Sequence, residues 1–126
     1  MYAVKITNNL DGSMNAASKD YAFAIDTHGK GITPPDTLLA GLGSCIAVYL
    51  KKYAQGSKLD LKDFEIRLEA DFCKEIPVCF RKISVTVDLK GFTLDERRQH
   101  ALLAFIKNCP VHATLKVNPL IELSLL

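Results

Sequence analysis

What the 126-residue sequence lacks narrows the field first. It has no charge imbalance: 16 Lys and Arg against 14 Asp and Glu leave a formal net charge of +2. A near-neutral chain offers no electrostatic footprint for nucleic acid or an anionic membrane surface, so neither partner is expected. It has no long hydrophobic run. The longest uncharged stretch, Thr37 to Leu50, is too short and too glycine-rich to span a bilayer. The opening Met1-Tyr2-Ala3-Val4-Lys5 shows no signal-peptide pattern. These absences lead to the expectation of a cytoplasmic protein. In that compartment the four cysteines, at 45, 73, 79 and 109, read as thiols, metal ligands or a catalytic pair, not as structural disulfides. No Cys-x-x-Cys occurs, which argues against a zinc knuckle, so no metal and no other cofactor is expected. The loop Thr27 to Ile32 carries glycines but lacks phosphate-loop spacing. There is no internal repeat, low-complexity tract or linker, and 126 residues make one domain with room for a core.

What is present is organised around one stretch, Thr33 to Leu50. Thr33 suits a helix cap, Pro34 the first turn, and Asp36 completes a capping-box pattern at the positive end of the helix dipole. No charge follows until Lys51. Leu38, Leu42, Cys45 and Tyr49 share one face; Ala40, Gly43, Ser44 and Ala47 form another, made of small residues. A helix apolar on all sides is buried on all sides. Its small face requires cover from a helix, either one near 93–108 of the same chain or a copy from a second subunit.

The flanks read as strands and one more helix. Tyr2, Val4 and Ile6 alternate with polar or small neighbours, and Tyr21, Phe23 and Ile25 alternate again. Asn8 to Ser13 is turn chemistry. Phe64 to Phe72 and Ile83 to Leu89 alternate with one polar face each, the pattern of antiparallel strands covering a core on one side. Thr93-x-x-Glu96 predicts the start of a second helix, and Pro110 either stops it or starts a new turn. Ile121, Leu123 and Leu125 read as a closing strand. The expected fold is α+β with antiparallel sheet on a buried central helix, in the order ββαββαβ.

Cys45, in mid-helix, is by burial statistics alone a small hydrophobe. Cys109 precedes Pro110; if a helix starts there, its positive end would lower the thiol pKa. Asp36 reads equally as a plain cap. The pattern Pro35-Asp36-x-Leu38-Leu39-Ala40-Gly41-Leu42-Gly43-Ser44-Cys45, followed by Cys109-Pro110-Val111-x-x-Thr114-Leu115, resembles the OsmC/Ohr family. That resemblance implies an intertwined α+β homodimer with the cysteine helices at its centre. It implies thiol-dependent reduction of organic hydroperoxides in oxidative stress defence, with Cys45 peroxidatic, Cys109 resolving, Asp36 assisting and a dithiol as reductant. The family's N-terminal arginine has no counterpart here: no arginine precedes Arg67, and the N-terminal region offers Lys5, Lys19, His28 and Lys30. A second reading therefore stays open: a non-catalytic dimer of the same fold that binds a small apolar or thiol-reactive molecule at the subunit interface. Helix geometry adds one constraint. The nine positions from Asp36 to Cys45 correspond to roughly 13 Å of rise and about 900° of rotation, which points the two side chains to opposite sides. Asp36 is thus expected to serve the partner subunit's thiol if it serves one at all. Cys73, Cys79 and His112 receive no role from the sequence.

Overall fold

A computed structural model describes all residues, Met1–Leu126. Five antiparallel strands and three helices follow one another as β1 (Lys5–Asn8), β2 (Met14–Ser18), β3 (Tyr21–Ile25), α1 (Pro34–Gly56), β4 (Glu65–Phe72), β5 (Phe80–Asp88), α2 (Glu96–Ile106) and α3 (Pro110–Val117). The fold is α+β, as expected, but the order is βββαββαα. The chain forms two compact units, Met1–Ala40 and Gly41–Leu126.

The first unit is a three-stranded meander, β1-β2-β3. Its first hairpin is closed by Asp11, whose carboxylate accepts from the Ser13 amide at 3.0 Å and the Ser13 hydroxyl at 2.6 Å. Lys30 reaches the same turn, its ammonium donating to the Asp11 carbonyl at 3.2 Å. Strand β2 escaped the sequence reading because Met14-Asn15-Ala16-Ala17-Ser18 has no strong alternation; it forms because both neighbours supply a ladder. After β3 the chain doubles back. The Asp26 amide donates to Ile32 O, and Lys30 N donates to the buried Asp26 carboxylate at 2.9 Å. Gly31 is required there, since a Cβ would sit 2.6 Å from the Ala24 carbonyl oxygen. Helix α1 then starts as the capping pattern predicts. Thr33 Oγ1 accepts from the Asp36 amide at 3.2 Å and donates to the Asp36 carboxylate at 2.8 Å.

The second unit contains the main core. Leu42, Ile46 and Leu50 of α1 pack with Leu94, Leu102, Ile106 and Cys109, and with Ile66, Leu68, Ile83 and Val87 from the β4–β5 hairpin. The alternation read along 64–72 holds in β4, whose Ile66, Leu68 and Ala70 are the more buried positions. Arg67, Glu65, Asp88 and Lys90 form a charged cluster on the hairpin's other face. Helix α2 covers another side of α1, with Phe105 5.8 Å from Tyr49 and 5.6 Å from Tyr53 between ring centroids.

Three expectations need correction. The cap of α2 is Asp95, not Thr93: its carboxylate accepts from the Arg98 amide at 2.8 Å, and a carboxylate is the stronger acceptor at a helix start. Gly43, expected on a small-residue face covered by a helix, is covered by strand β4 instead. It is buried, and a Cβ there would come within 2.5 Å of Leu68 Cδ1. The open stripe of α1 in this unit is Gly41, Ser44 and Val48. The closing strand is absent. Residues 118–126 form no element and are exposed, with Leu123 at 93% and Leu125 at 98%, because no neighbouring strand of the chain offers its backbone groups.

The Gly43 contact generates a prediction. Gly43→Val places branched carbon where Leu68 already sits, so it should lower the unfolding free energy by about 1–3 kcal/mol despite valine's better helix propensity. Urea denaturation of the two proteins side by side measures it. Acid adds a second. Hydrogen bonding from the Lys30 amide, and next from those of His28 and Thr27, holds the Asp26 carboxyl below its ordinary value of 3.8. A depressed folded-state pKa contributes stability above that ordinary value and loses it as pH falls through the folded one. Asp26→Asn should therefore flatten the acid limb of the stability–pH curve below about pH 4.

Candidate functional site

Helix phase places the first thiol. Cys45 sits on α1 between the buried Leu42 and Ile46 and the open Ser44 and Val48, so it is half-buried at the edge of the core. Chain termination of α2 places the second. Lys107 ends α2, and Pro110 begins α3 with Cys109 as its N-cap. The Cys109 sulfur accepts from the His112 amide at 3.3 Å and is fully buried in the core cluster. Two helices, far apart in sequence, meet here: Cys45 is packed against the core cluster that contains Cys109.

The electrostatics reverse one expectation. A helix N-terminus at Cys109 was expected to lower its pKa, and the His112 and Val111 amides do pull it down. Burial outweighs them, and the neighbouring Cys45 adds to the upward push. Cys109 is thus held as a neutral thiol above the ordinary value of 9.0. A backbone amide offers one directed contact, whereas desolvation opposes the thiolate from every side. Of the pair, Cys45 is the accessible member and Cys109 the shielded one.

Asp36 is found where the capping pattern put it, its carboxylate bonded to the Thr33 hydroxyl. Arg67, the first arginine of the chain, is engaged by Glu65 and lies 3.7 Å from Asp88. A cleft of about 180 Å³ lies against α3, lined by Ile46, Val85, Val87, Leu103 and Ile106 with Lys107 and His112 at its polar edge. His112 Nδ1 is 3.0 Å from the Lys107 carbonyl, so its ring ties α3 to the end of α2. Nothing in the linear pattern marked this residue as a strut; only the helix junction does. The other two cysteines, which the sequence left unassigned, also meet: Cys73 and Cys79 lie with sulfurs 3.8 Å apart. No group of His, Cys, Asp and Glu side chains is arranged to hold a metal ion.

The sequence matches the family described as OsmC-like protein over residues 27–124. The chain belongs to the OsmC-like family. No curated protein matches it in sequence. Among solved structures it is similar to the OsmC-like protein of Mycoplasma pneumoniae, with 21% identity, 92% of this chain and 87% of that chain covered, and a TM-score of 0.79. It is similar to a hypothetical protein from Aquifex aeolicus, at 17% identity over 93% and 88% of the two chains with a TM-score of 0.77. It is also similar to an organic hydroperoxide resistance protein OsmC from Legionella pneumophila, at 17% identity over 94% and 90% with a TM-score of 0.66. At these identities the likeness establishes the OsmC-like fold. No helix of the chain is long and apolar enough to cross a membrane.

The unequal burial of the pair predicts an order of reactivity. Iodoacetamide at neutral pH should alkylate Cys45 well before Cys109 in the native protein. Cys109 should react only above its ordinary value near 9.0 or on unfolding. Peptide-resolved mass spectrometry over a pH series reads both; equal rates at neutral pH would contradict the site described here.

Proposed function

We propose that this OsmC-like chain reduces organic hydroperoxides through Cys45 and Cys109. The observation that carries the reading is a half-buried thiol packed against the core cluster that holds a second, fully buried and proton-retaining thiol. The Cys45 thiolate attacks the O–O bond of ROOH, forming Cys45–SOH and releasing RO⁻, which takes up a proton as the alcohol. Cys109–SH then condenses with the sulfenic acid. The S–S bond forms, and the hydroxyl leaves with the Cys109 proton as water. A dithiol reductant restores both thiols by exchange and leaves as its own disulfide. Neutral Cys109 suits the resolving role, because it does not compete for the peroxide while it waits.

The reading includes a homodimer. Apolar surface supports it: Gly41, Ser44 and Val48 of α1, Ile6, Tyr21 and Phe23 of the β1–β3 sheet, and the alternating Ile121, Leu123 and Leu125 are exposed. A monomer leaves that surface in water, and the 121–125 stretch is suited to pair with strands of a second copy. Asp36, whose helical phase differs from that of Cys45, then serves the partner's thiol. Sedimentation should give a dimer at low micromolar concentration.

A second reading rests on a specific observation. No arginine precedes Arg67, and Arg67 is committed to Glu65 and Asp88. Without a guanidinium to support the thiolate, the same fold would serve as a non-catalytic binder of a small apolar or thiol-reactive molecule. Consumption of cumene hydroperoxide with a dithiol reductant separates the two. Turnover that Cys45→Ser reduces to background supports the peroxidase; wild-type turnover already at background leaves the binder. Asp36→Asn keeps an acceptor for the Thr33 hydroxyl, so stability should change by less than about 0.5 kcal/mol while turnover falls. Unchanged turnover would reduce Asp36 to a cap.

A further inference from the structure

We propose that Cys73 and Cys79 form a second redox site, which exchanges its dithiol with low-molecular-weight disulfides. The site is built by strand register. Phe72 pairs with Phe80 across the β4–β5 ladder, their rings stacked at 4.7 Å between centroids. The next step of that register sets Cys73 opposite Cys79, and the Cys73 amide donates to the Cys79 carbonyl at 2.9 Å. Directly opposed antiparallel residues have Cα atoms about 4.5–5.5 Å apart, inside the span of about 4.4–6.8 Å that a disulfide bridges. The sulfurs already stand 3.8 Å apart. Closing the bond therefore needs side-chain rotation rather than movement of strands. The connecting residues 74–78 are exposed, and both cysteines are half-buried, unlike Cys109.

The two thiols differ in a way that assigns roles. As a thiol, Cys73 donates toward the carbonyls of Glu75 and Pro77, at 3.3 and 3.2 Å. Hydrogen bonding from the Cys79 backbone first, then from the Cys79 side chain, Arg81 and the Glu75 backbone, favours its thiolate and lowers its pKa. Cys79 is pushed the other way, by the Cys73 hydrogen bond and by burial. Cys73 is thus the attacking sulfur and Cys79 the waiting one. An open groove of about 370 Å³ leads to Cys73, lined by Glu69, Asp71, Arg81, Lys82 and Ser84. Charges of both signs suit a zwitterionic, peptide-like disulfide.

The step balances without a further reactant. The Cys73 thiolate attacks RS–SR, forming a Cys73–S–S–R mixed disulfide and releasing RS⁻, which takes up the proton lost from Cys73. Cys79 then attacks the Cys73 sulfur, passing its proton to the second RSH as the Cys73–Cys79 bond closes. The protein dithiol loses two electrons, and the substrate disulfide becomes two thiols.

Tryptic mass spectrometry after equilibration in glutathione–glutathione disulfide buffers tests this. Trypsin cuts after Arg67, Lys74 and Arg81, so the two cysteines fall in separate peptides, 68–74 and 75–81. A Cys73–Cys79 bond joins them. The joined pair should appear in the native full-length protein as the buffer becomes more oxidising and vanish as it becomes more reducing. Both thiols remaining fully alkylatable across the whole series would overturn the proposal, as would each carrying glutathione independently. Cys79→Ser should accumulate the mixed disulfide on Cys73, and Cys73→Ser should capture glutathione on Cys79 at least roughly tenfold more slowly. Equal capture would overturn the assignment of the attacking thiol. The joined pair should form in Cys45→Ser as well, so its presence is independent of the hydroperoxide reading.

Discussion

The packing of α1 against the β4–β5 hairpin is the contact on which the second unit depends. Its tightest point is Leu68 lying over Gly43, where the helix has no side chain. That approach lets Leu42, Ile46 and Leu50 share one core with Leu102, Ile106 and Cys109. The phase of α1 is set by this contact, and the phase decides that Cys45 lies at the margin of the core rather than within it. The placement of Cys45 is thus a consequence of how one helix is buried.

The two thiol pairs are assembled by different means. Cys45 and Cys109 share one core cluster through tertiary packing of a helix against a helix junction. Cys73 and Cys79 meet through local register across a short connection. The first pair sets an accessible sulfur against a fully desolvated one, and the low polarisability around Cys109 governs its proton. The second pair lies near solvent, where directed hydrogen bonds govern instead. A half-exposed pair responds to the thiol–disulfide balance of the medium.

The exposed apolar surface belongs with these sites. One face of the β1–β3 sheet carries the exposed Ile6, Tyr21 and Phe23, and the C-terminal Leu123 and Leu125 are exposed.

Much of this was written in the linear pattern, for reasons that are local. Thr33, Pro34 and Asp36 determine the start of α1 because a cap involves only residues within one turn. Period-two alternation along 64–72 determines β4, since a strand's two faces differ in solvent. Pro110 determines where α3 begins, because its ring excludes a continuing helix. Cys45 and Cys109 were singled out by the resemblance of their flanking motifs to the OsmC/Ohr pattern. Tertiary structure decided the rest. Strand β2 lacks an alternating pattern and exists through its two neighbours. Residues 121–125 alternate but find no ladder, because backbone pairing needs a second strand that the sequence pattern does not supply. Gly43 faces Leu68, and Cys109 loses its helix-end advantage to burial; both depend on atoms distant in sequence. Capping and alternation are properties of neighbours along the chain, whereas desolvation and close packing belong to whatever the fold brings alongside.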